Sequence, residues 1–302
     1  MRRPAKTSRW APLLTESRNP RSKRLDTLPT NDVVALLLDE DRRAIAATLR
    51  QSRAISRAAV RAAGALEAGG SVVFLGAGTS GRLGVLEAAE CPPTFGLDAS
   101  QIRAVMAGGE GAVFRAVEGA EDDEASGRRE ASALRPPDLL IGISASSVTP
   151  FVRGALTAAR ENAVATVLVT CAPGPGLNRV ADTVVAIASG PEVLTGSTRL
   201  KAGSATKAAL NAITTAAMVR LGKTYDNLMV DMRPSNAKLK DRARRIVAAA
   251  AGVDPEEAER LIVLAGGEVK TAIVMAGRGV APDAARALLA SAKGHVRRAL
   301  RR

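Results

Sequence analysis

Aromatic side chains are scarce in this 302-residue chain: one Trp, one Tyr and four Phe. Its core must therefore be built from Ala, Val, Leu and Ile, and Ala-rich helices with Val/Ile-rich strands fit an α/β protein better than an all-β one. Cysteine is nearly absent too. Cys91 and Cys171 have no Cys neighbour at metal-ligand spacing, which argues against a Cys-based zinc site and against a disulfide framework, and suits a reducing compartment. No apolar run reaches the roughly 20 residues needed to span a bilayer. The basic N-terminus lacks a following apolar stretch, so no signal peptide is evident. The expectation is a cytoplasmic protein with no membrane partner.

Positive charge is in excess, at a formal net of +13. Its position decides what it means. Residues 1–24 carry Arg2, Arg3, Lys6, Arg9, Arg18, Arg21, Lys23 and Arg24 against Glu16, and residues 293–302 carry Lys293, Arg297, Arg298, Arg301 and Arg302. The two ends hold nearly all of the imbalance, and the body between them is close to neutral. Solvated ends explain this better than a nucleic-acid surface, and no nucleic-acid partner is expected.

Residues 1–30, rich in Arg, Pro, Ser and Thr, read as a basic N-terminal arm. Helical periodicity follows from 31, with Val33, Leu36, Leu37, Ile45 and Leu49 on repeating faces. From residue 71 the rhythm becomes five short β-rich runs, at 72–75, 102–106, 139–143, 165–170 and 183–187. Most are separated by helical stretches, such as 82–90, 113–119 and 150–161. This alternation predicts an α/β fold with a five-stranded parallel sheet flanked by helices, its sites at the C-terminal ends of the strands. An Ala-rich helix is predicted over about 198–221. Beyond 237 the pattern is helical only. Asp254-Pro255-Glu256-Glu257 is a strong helix start, and three helices are expected near 255–265, 268–276 and 282–299. The implied organisation is an arm (1–30), a main domain with leading helices (31–236) and a small C-terminal helical module (237–302).

Two loops at the predicted sheet edge suit an anion. The first strand ends in Gly76-Ala77-Gly78-Thr79-Ser80-Gly81. This matches GxGxxG, yet a dinucleotide site also wants an acid closing the second strand, and Asp98 precedes that strand. A plain strand-to-helix turn capped by Ser80 and a phosphate cradle both remain open for this loop. The third strand ends in Ser144-Ala145-Ser146-Ser147-Val148-Thr149-Pro150, four hydroxyls just before a helix that opens on proline. Two such loops on one edge favour a phosphomonoester pocket.

Those loops, in this order on five strands, resemble the sugar isomerase domain, and the chain from about Thr15 onward resembles the N-acetylmuramic acid 6-phosphate etherase family. Four segments carry the likeness. The first is Thr15-Glu16, Asn19, Ser22, Leu25-Asp26 and Leu28. The second runs from Leu75 to Gly84 and on to Glu90-Cys91-Pro92-Pro93-Thr94. The third is Ala107-Gly108-Gly109-Glu110 with the stretch 116–122. The fourth is 190–203, leading to Lys207 and Asn227-Leu228-Met229-Val230-Asp231, and is similar to a signature shared with the glucokinase regulatory protein. The chain departs from the family at Ser147-Val148, where the usual pair is Gly-Arg, and at Lys293-Gly294-His295, where His295 reads as surface or packing.

The resemblance implies catalysis by Glu90 and Glu121, phosphate contacts from Thr79, Ser80, Ser144, Ser146, Ser147 and Thr149, and further substrate contacts from Gly78, Glu192, Ser197 and Lys201. It implies a phosphosugar substrate, no metal, no cofactor, and a homodimer with shared active sites. The residues themselves say something about Glu90. With Leu83 and Leu86 it extends an apolar helix face that Pro92 ends, and partial burial near a helix C-terminus would favour a general acid. Glu121, in the acidic run 118–124, is singled out by the resemblance alone. The alternatives are a non-catalytic phosphosugar-binding regulator and an aldose–ketose phosphosugar isomerase.

Overall fold

The computed structural model describes residues 13–174, 176–232, 234 and 236–301. Arg2, Arg3, Lys6, Arg9 and Arg302 of the basic ends lie outside that set. The chain forms two compact units, one from residues 1–88 and 103–213 and the other from 89–102 and 214–302.

The first unit is the sheet. After helices α1 (Thr30–Leu49) and α2 (Ser52–Glu67) come β1 (Val72–Gly76), α3 (Gly78–Phe95), β2 (Ile102–Met106), α4 (Glu124–Ala131), β3 (Leu139–Ile143), α5 (Pro150–Glu161), β4 (Ala165–Thr170), β5 (Thr183–Ala186) and α6 (Lys201–Arg220); α3 past residue 88 and α6 past residue 213 belong to the second unit. The strands lie in the order β2-β1-β3-β4-β5. Register is parallel, Val72 beside Leu139 and Leu139 beside Ala165. Every residue of β1 and of β3 is buried, as a parallel sheet covered on both faces requires. One core layer joins Val73, Leu75 and Leu140 to Phe151, Val152, Ala155 and Leu156 of α5.

Small residues let α3 press close to this sheet. A Cβ at Gly84 would stand 2.9 Å from Cβ of Phe74, and one at Gly81 2.6 Å from the Gly76 carbonyl oxygen. The face of α3 towards the sheet therefore runs through Gly81, Gly84 and the buried Glu87, while Leu86 is exposed. This corrects the apolar face expected from Leu83 and Leu86. The helix also continues through Pro92 and Pro93 to Phe95. Pro92 and Pro93 offer no N–H to the carbonyls of Ala88 and Ala89, four residues back, so the last turn of the helix runs without those two ladder bonds. Segment 113–119 is not helical either. It follows a 3₁₀ turn at Glu110–Val113, and Gly119, with φ 73°, precedes another at Ala120–Asp122.

The second unit is mostly helical, with α7 (Ala237–Ala251), α8 (Pro255–Leu264), α9 (Val269–Arg278), α10 (Pro282–Ser291) and α11 (Val296–Arg301), and a small antiparallel pair, β6 (Thr224–Tyr225) and β7 (Leu228–Met229). Asp254 caps α8 by accepting from the Glu257 N–H at 2.8 Å, with Pro255 at the first position. The single helix expected over 282–299 is two, because Lys293 and Gly294 both adopt positive φ and turn the chain. His295 packs against Gly222.

Candidate active site

The loop after β3 is the best-formed part of the site. Ser144 and Thr149 share a hydroxyl–hydroxyl hydrogen bond of 2.8 Å across the loop. Thr149 is the N-cap residue of α5, yet its side chain caps no helix amide. The α5 N-terminus is thus left uncapped by its own side chain, the arrangement that accepts an anion through backbone N–H groups and the helix dipole. Ser147 does something else. It is buried, with φ 62°, and its hydroxyl accepts from the Leu177 N–H (3.2 Å) and reaches Asn178 Oδ1 (3.4 Å). It braces this loop against the next one.

A cavity of about 390 Å³ opens beside the loop. It is lined by Ser146, Val148, Thr149 and Pro150, by Glu121 and Asp122, and by Leu13 and Glu16 of the N-terminal arm. The structure therefore unites Glu121 with the Ser146–Thr149 hydroxyls. Among the described residues the lining includes no Lys or Arg, and Val148 stands at the position where the resemblance leads one to expect arginine. A phosphate here would rely on hydroxyls and helix amides.

The other expected residues are placed differently. Gly78, Thr79 and Ser80 form the first turn of α3 at the end of β1. Ser80 lies inside the helix, so it is not an N-cap. The Thr79 methyl lies near Gly203 in the first turn of α6. Ser197 sits in the loop before α6, its carbonyl accepting from the Leu200 N–H at 3.2 Å. Glu192 and Lys201 are buried and internally satisfied. The Glu192 carboxylate caps α6, accepting from the Ala202 N–H (2.9 Å) and the Lys201 N–H (3.3 Å). Burial pushes its pKa up, and those amides and the Lys201 charge hold it back only in part. The Lys201 ammonium is paired with Glu40, which also accepts from Arg21 (2.5 Å) and from Asn19 (2.9 Å). Burial drives the Glu40 pKa upward, but the bonds from Lys201, Arg21 and Asn19 outweigh it, leaving the carboxyl below its ordinary value. Glu90 is exposed on α3, so the partial burial expected for it is absent from this chain. Its carbonyl accepts from the Thr94 hydroxyl at 2.9 Å.

Sequence reasoning missed Glu16 and Leu13 as cavity residues and Glu87 as a buried acid. Glu87 accepts from Asn211 Nδ2 at 2.8 Å. Its burial follows from the glycine face of α3, which periodicity of apolar residues does not reveal. A larger cavity, about 1120 Å³, lies within the second unit. Its Lys270, Arg244 and Arg286 are already paired with Asp231, Asp241 and Glu268.

The chain is 48% identical over 264 residues to N-acetylmuramic acid 6-phosphate etherase of Geobacillus thermodenitrificans, covering 87% of this chain and 90% of that one. It belongs to the N-acetylmuramic acid 6-phosphate etherase family. The etherase of Cutibacterium acnes is 51% identical over 265 residues, covering 86% of each chain. Residues 54–160 match the glucokinase regulatory protein N-terminal SIS domain; they span β1 to α5 and so include both loops. Among solved structures, the sugar isomerase domain of an RpiR transcription factor from Sphaerobacter thermophilus is similar at 22% identity, covering 62% of this chain and 90% of that one, with a TM-score of 0.46. Membership of the etherase family rests on the two sequence relatives, which span the sheet and the helical unit together.

Proposed function

We propose that this chain is a lyase that removes D-lactate from the ether at C3 of N-acetylmuramic acid 6-phosphate, giving N-acetylglucosamine 6-phosphate. The family supports the activity. The observation that carries the reading onto this chain's own residues is the cavity where Glu121 meets the Ser146–Thr149 hydroxyls at the start of α5.

The phosphate rests on Ser80, Ser144, Ser146 and Thr149 and the α5 amides, with Ser147 bracing the loop from behind and Thr79 nearby. Opening the sugar ring exposes the C1 aldehyde, which acidifies the C2 proton. Glu121 removes that proton as general base. Glu90 protonates the ether oxygen as lactate leaves, producing a double bond between C2 and C3. Water then adds, its oxygen to C3 after Glu90 takes a proton from it, and C2 is reprotonated. The steps balance as substrate plus water to two products, with no electrons gained or lost. General acid–base catalysis of this kind contributes roughly 10²–10⁴-fold per group.

Two copies of the chain share their sites in this reading. Ser80 and Glu90 lie ten residues apart on one helix, roughly 15 Å at 1.5 Å per residue, which exceeds the distance from C6 to C3 of one sugar. A neighbouring chain supplying one end resolves that mismatch, and a C2 pair generates two such sites. No described helix is long and apolar enough to cross a membrane, and the buried Cys91 and Cys171, in no disulfide among the described residues, suit a reducing cytoplasm.

The deciding experiment incubates the purified chain with N-acetylmuramic acid 6-phosphate and follows D-lactate. Release supports the lyase and excludes both a pure phosphosugar-binding regulator and an aldose–ketose isomerase. Interconversion of aldose and ketose without lactate, or binding without turnover, overturns it.

A further inference from the structure

The N-terminal arm is fastened to the first unit more firmly than a solvated arm needs. Thr15 is buried, and its carbonyl accepts from the Gly196 N–H at 3.1 Å. Four residues on, Asn19 is also buried and bridges Glu40 and the Pro191 carbonyl, each at 2.9 Å. Arg21 adds bonds to Glu40 (2.5 Å) and Asp39 (2.7 Å), and Lys201 closes the group on Glu40 from α6. A buried charge pair earns little net stability over apolar packing, but it fixes geometry.

Between the two fastenings stands Glu16. Its carboxylate lies over Gly196, where a Cβ would come within 3.3 Å of Oε2, and it lines the cavity that holds Glu121, Ser146 and Thr149. Among the described residues it forms no salt bridge, and the Thr15 hydroxyl approaches it at 3.5 Å. A carboxylate is an acceptor only and is satisfied by N–H and O–H donors. The cavity's other acids, Glu121 and Asp122, cannot supply one when ionised, and a phosphate is no donor either. Glu16 is exposed, so a ligand that fills the cavity and displaces solvent from this carboxylate has to bring an N–H or O–H donor of its own.

We propose that Glu16 is a substrate-binding residue that accepts a hydrogen bond from an uncharged donor of the sugar, a hydroxyl or the acetamido N–H, and that the Asn19–Glu40–Lys201 group positions it. The inference rests on the phosphosugar reading above. It gives the arm a role in selectivity, and it explains why so many buried polar contacts converge on a segment at the edge of the sheet unit.

The test is calorimetric titration of N-acetylglucosamine 6-phosphate and of glucose 6-phosphate into the native full chain, Glu16→Ala and Glu16→Gln. Glu16→Ala should weaken binding about 10-fold, as expected for one hydrogen bond donated to a charged acceptor, with an unchanged melting temperature. Loss confined to the acetamido sugar identifies the N–H as donor, and equal loss on both identifies a hydroxyl. Glu16→Gln, which keeps an acceptor oxygen, should recover part of the affinity. Asn19→Ala should raise KM and leave kcat within about threefold, a split that mere destabilisation would not produce. Unchanged affinity of Glu16→Ala for both sugars overturns the proposal while leaving lactate release by the native chain intact. Failure of the native chain to bind either sugar would overturn the phosphosugar reading with it.

Discussion

Glu40 and Glu192 are buried and surrounded by donors, whereas Glu90 and Glu121 stand in solvent. All four fall in segments that resemble one enzyme family or pack against them, so motif alone does not separate their roles. Environment does. Glu192 ends on two α6 amides and Glu40 on Lys201, Arg21 and Asn19, which leaves neither carboxylate free to meet a ligand. The exposed pair keeps its oxygens available. Satisfied acids build the frame, and the exposed pair is left open to the proton-transfer roles proposed above.

That contrast can be broken by substitution. The largest effect is expected for Glu90→Ala and Glu121→Ala, each lowering lactate release by about 10²–10⁴-fold while the melting temperature stays fixed. Deuterium exchange at C2 sharpens the assignment: it should persist in Glu90→Ala and vanish in Glu121→Ala. Survival of exchange without Glu121 would remove it as the base. Glu40→Ala is the mirror image. It strands the Lys201 ammonium in a buried site and should cost about 3–5 kcal/mol, seen as a lower denaturation midpoint. A Glu40→Ala chain as stable as the parent would contradict the reading of that group as frame.

Smaller effects follow for the phosphate loop and for pH. Ser146→Ala should raise KM about 10-fold with little change in kcat, in line with losing a hydrogen bond to a charged ligand; equal turnover of a sugar lacking phosphate would count against the loop. The acid limb of stability separates the two buried carboxyls. The pKa of Glu40 is lowered in the fold, so its stabilisation is full above the ordinary value of 4.5 and is lost as the pH falls through the lowered one. The pKa of Glu192 is raised, so its ionised form weighs against the fold at neutral pH and that burden lifts as the pH falls. Denaturation midpoints between pH 6 and 3 should therefore show a loss in the native chain that Glu40→Gln does not share.

Much of the sheet was legible because its strands are short Val/Ile/Leu runs, and 102–106, 139–143 and 165–170 coincide with β2, β3 and β4. The Ser144–Thr149 segment was legible as a loop because its hydroxyl residues stand just before a helix that opens on Pro150. The inner face of α3 was not. Hydrophobic periodicity assumes that leucines point inward, but Gly81 and Gly84 bring the helix so close to Phe74 and Gly76 that Leu86 turns outward and Glu87 goes in. The placements of Lys201 and Ser147 were equally hidden. Their partners, Glu40 and Leu177, are 161 and 30 residues away, and nothing local marks such pairs. Glu16 escaped notice because a single acid in a basic arm reads as solvated until the arm is seen to fold back.

The fastening of the arm also sets a schedule. Asn19 is made early, yet its acceptor at Pro191 follows 172 residues later and Glu40 waits 161 residues for Lys201. Contacts of such long separation form only after the intervening chain is in hand. A chain growing from its N-terminus carries Glu16 loose in solvent until the strands from β1 to β5 and the head of α6 exist. The cavity wall is thus among the last parts to be closed, and an unfinished chain cannot hold a sugar phosphate in the geometry that the completed one offers.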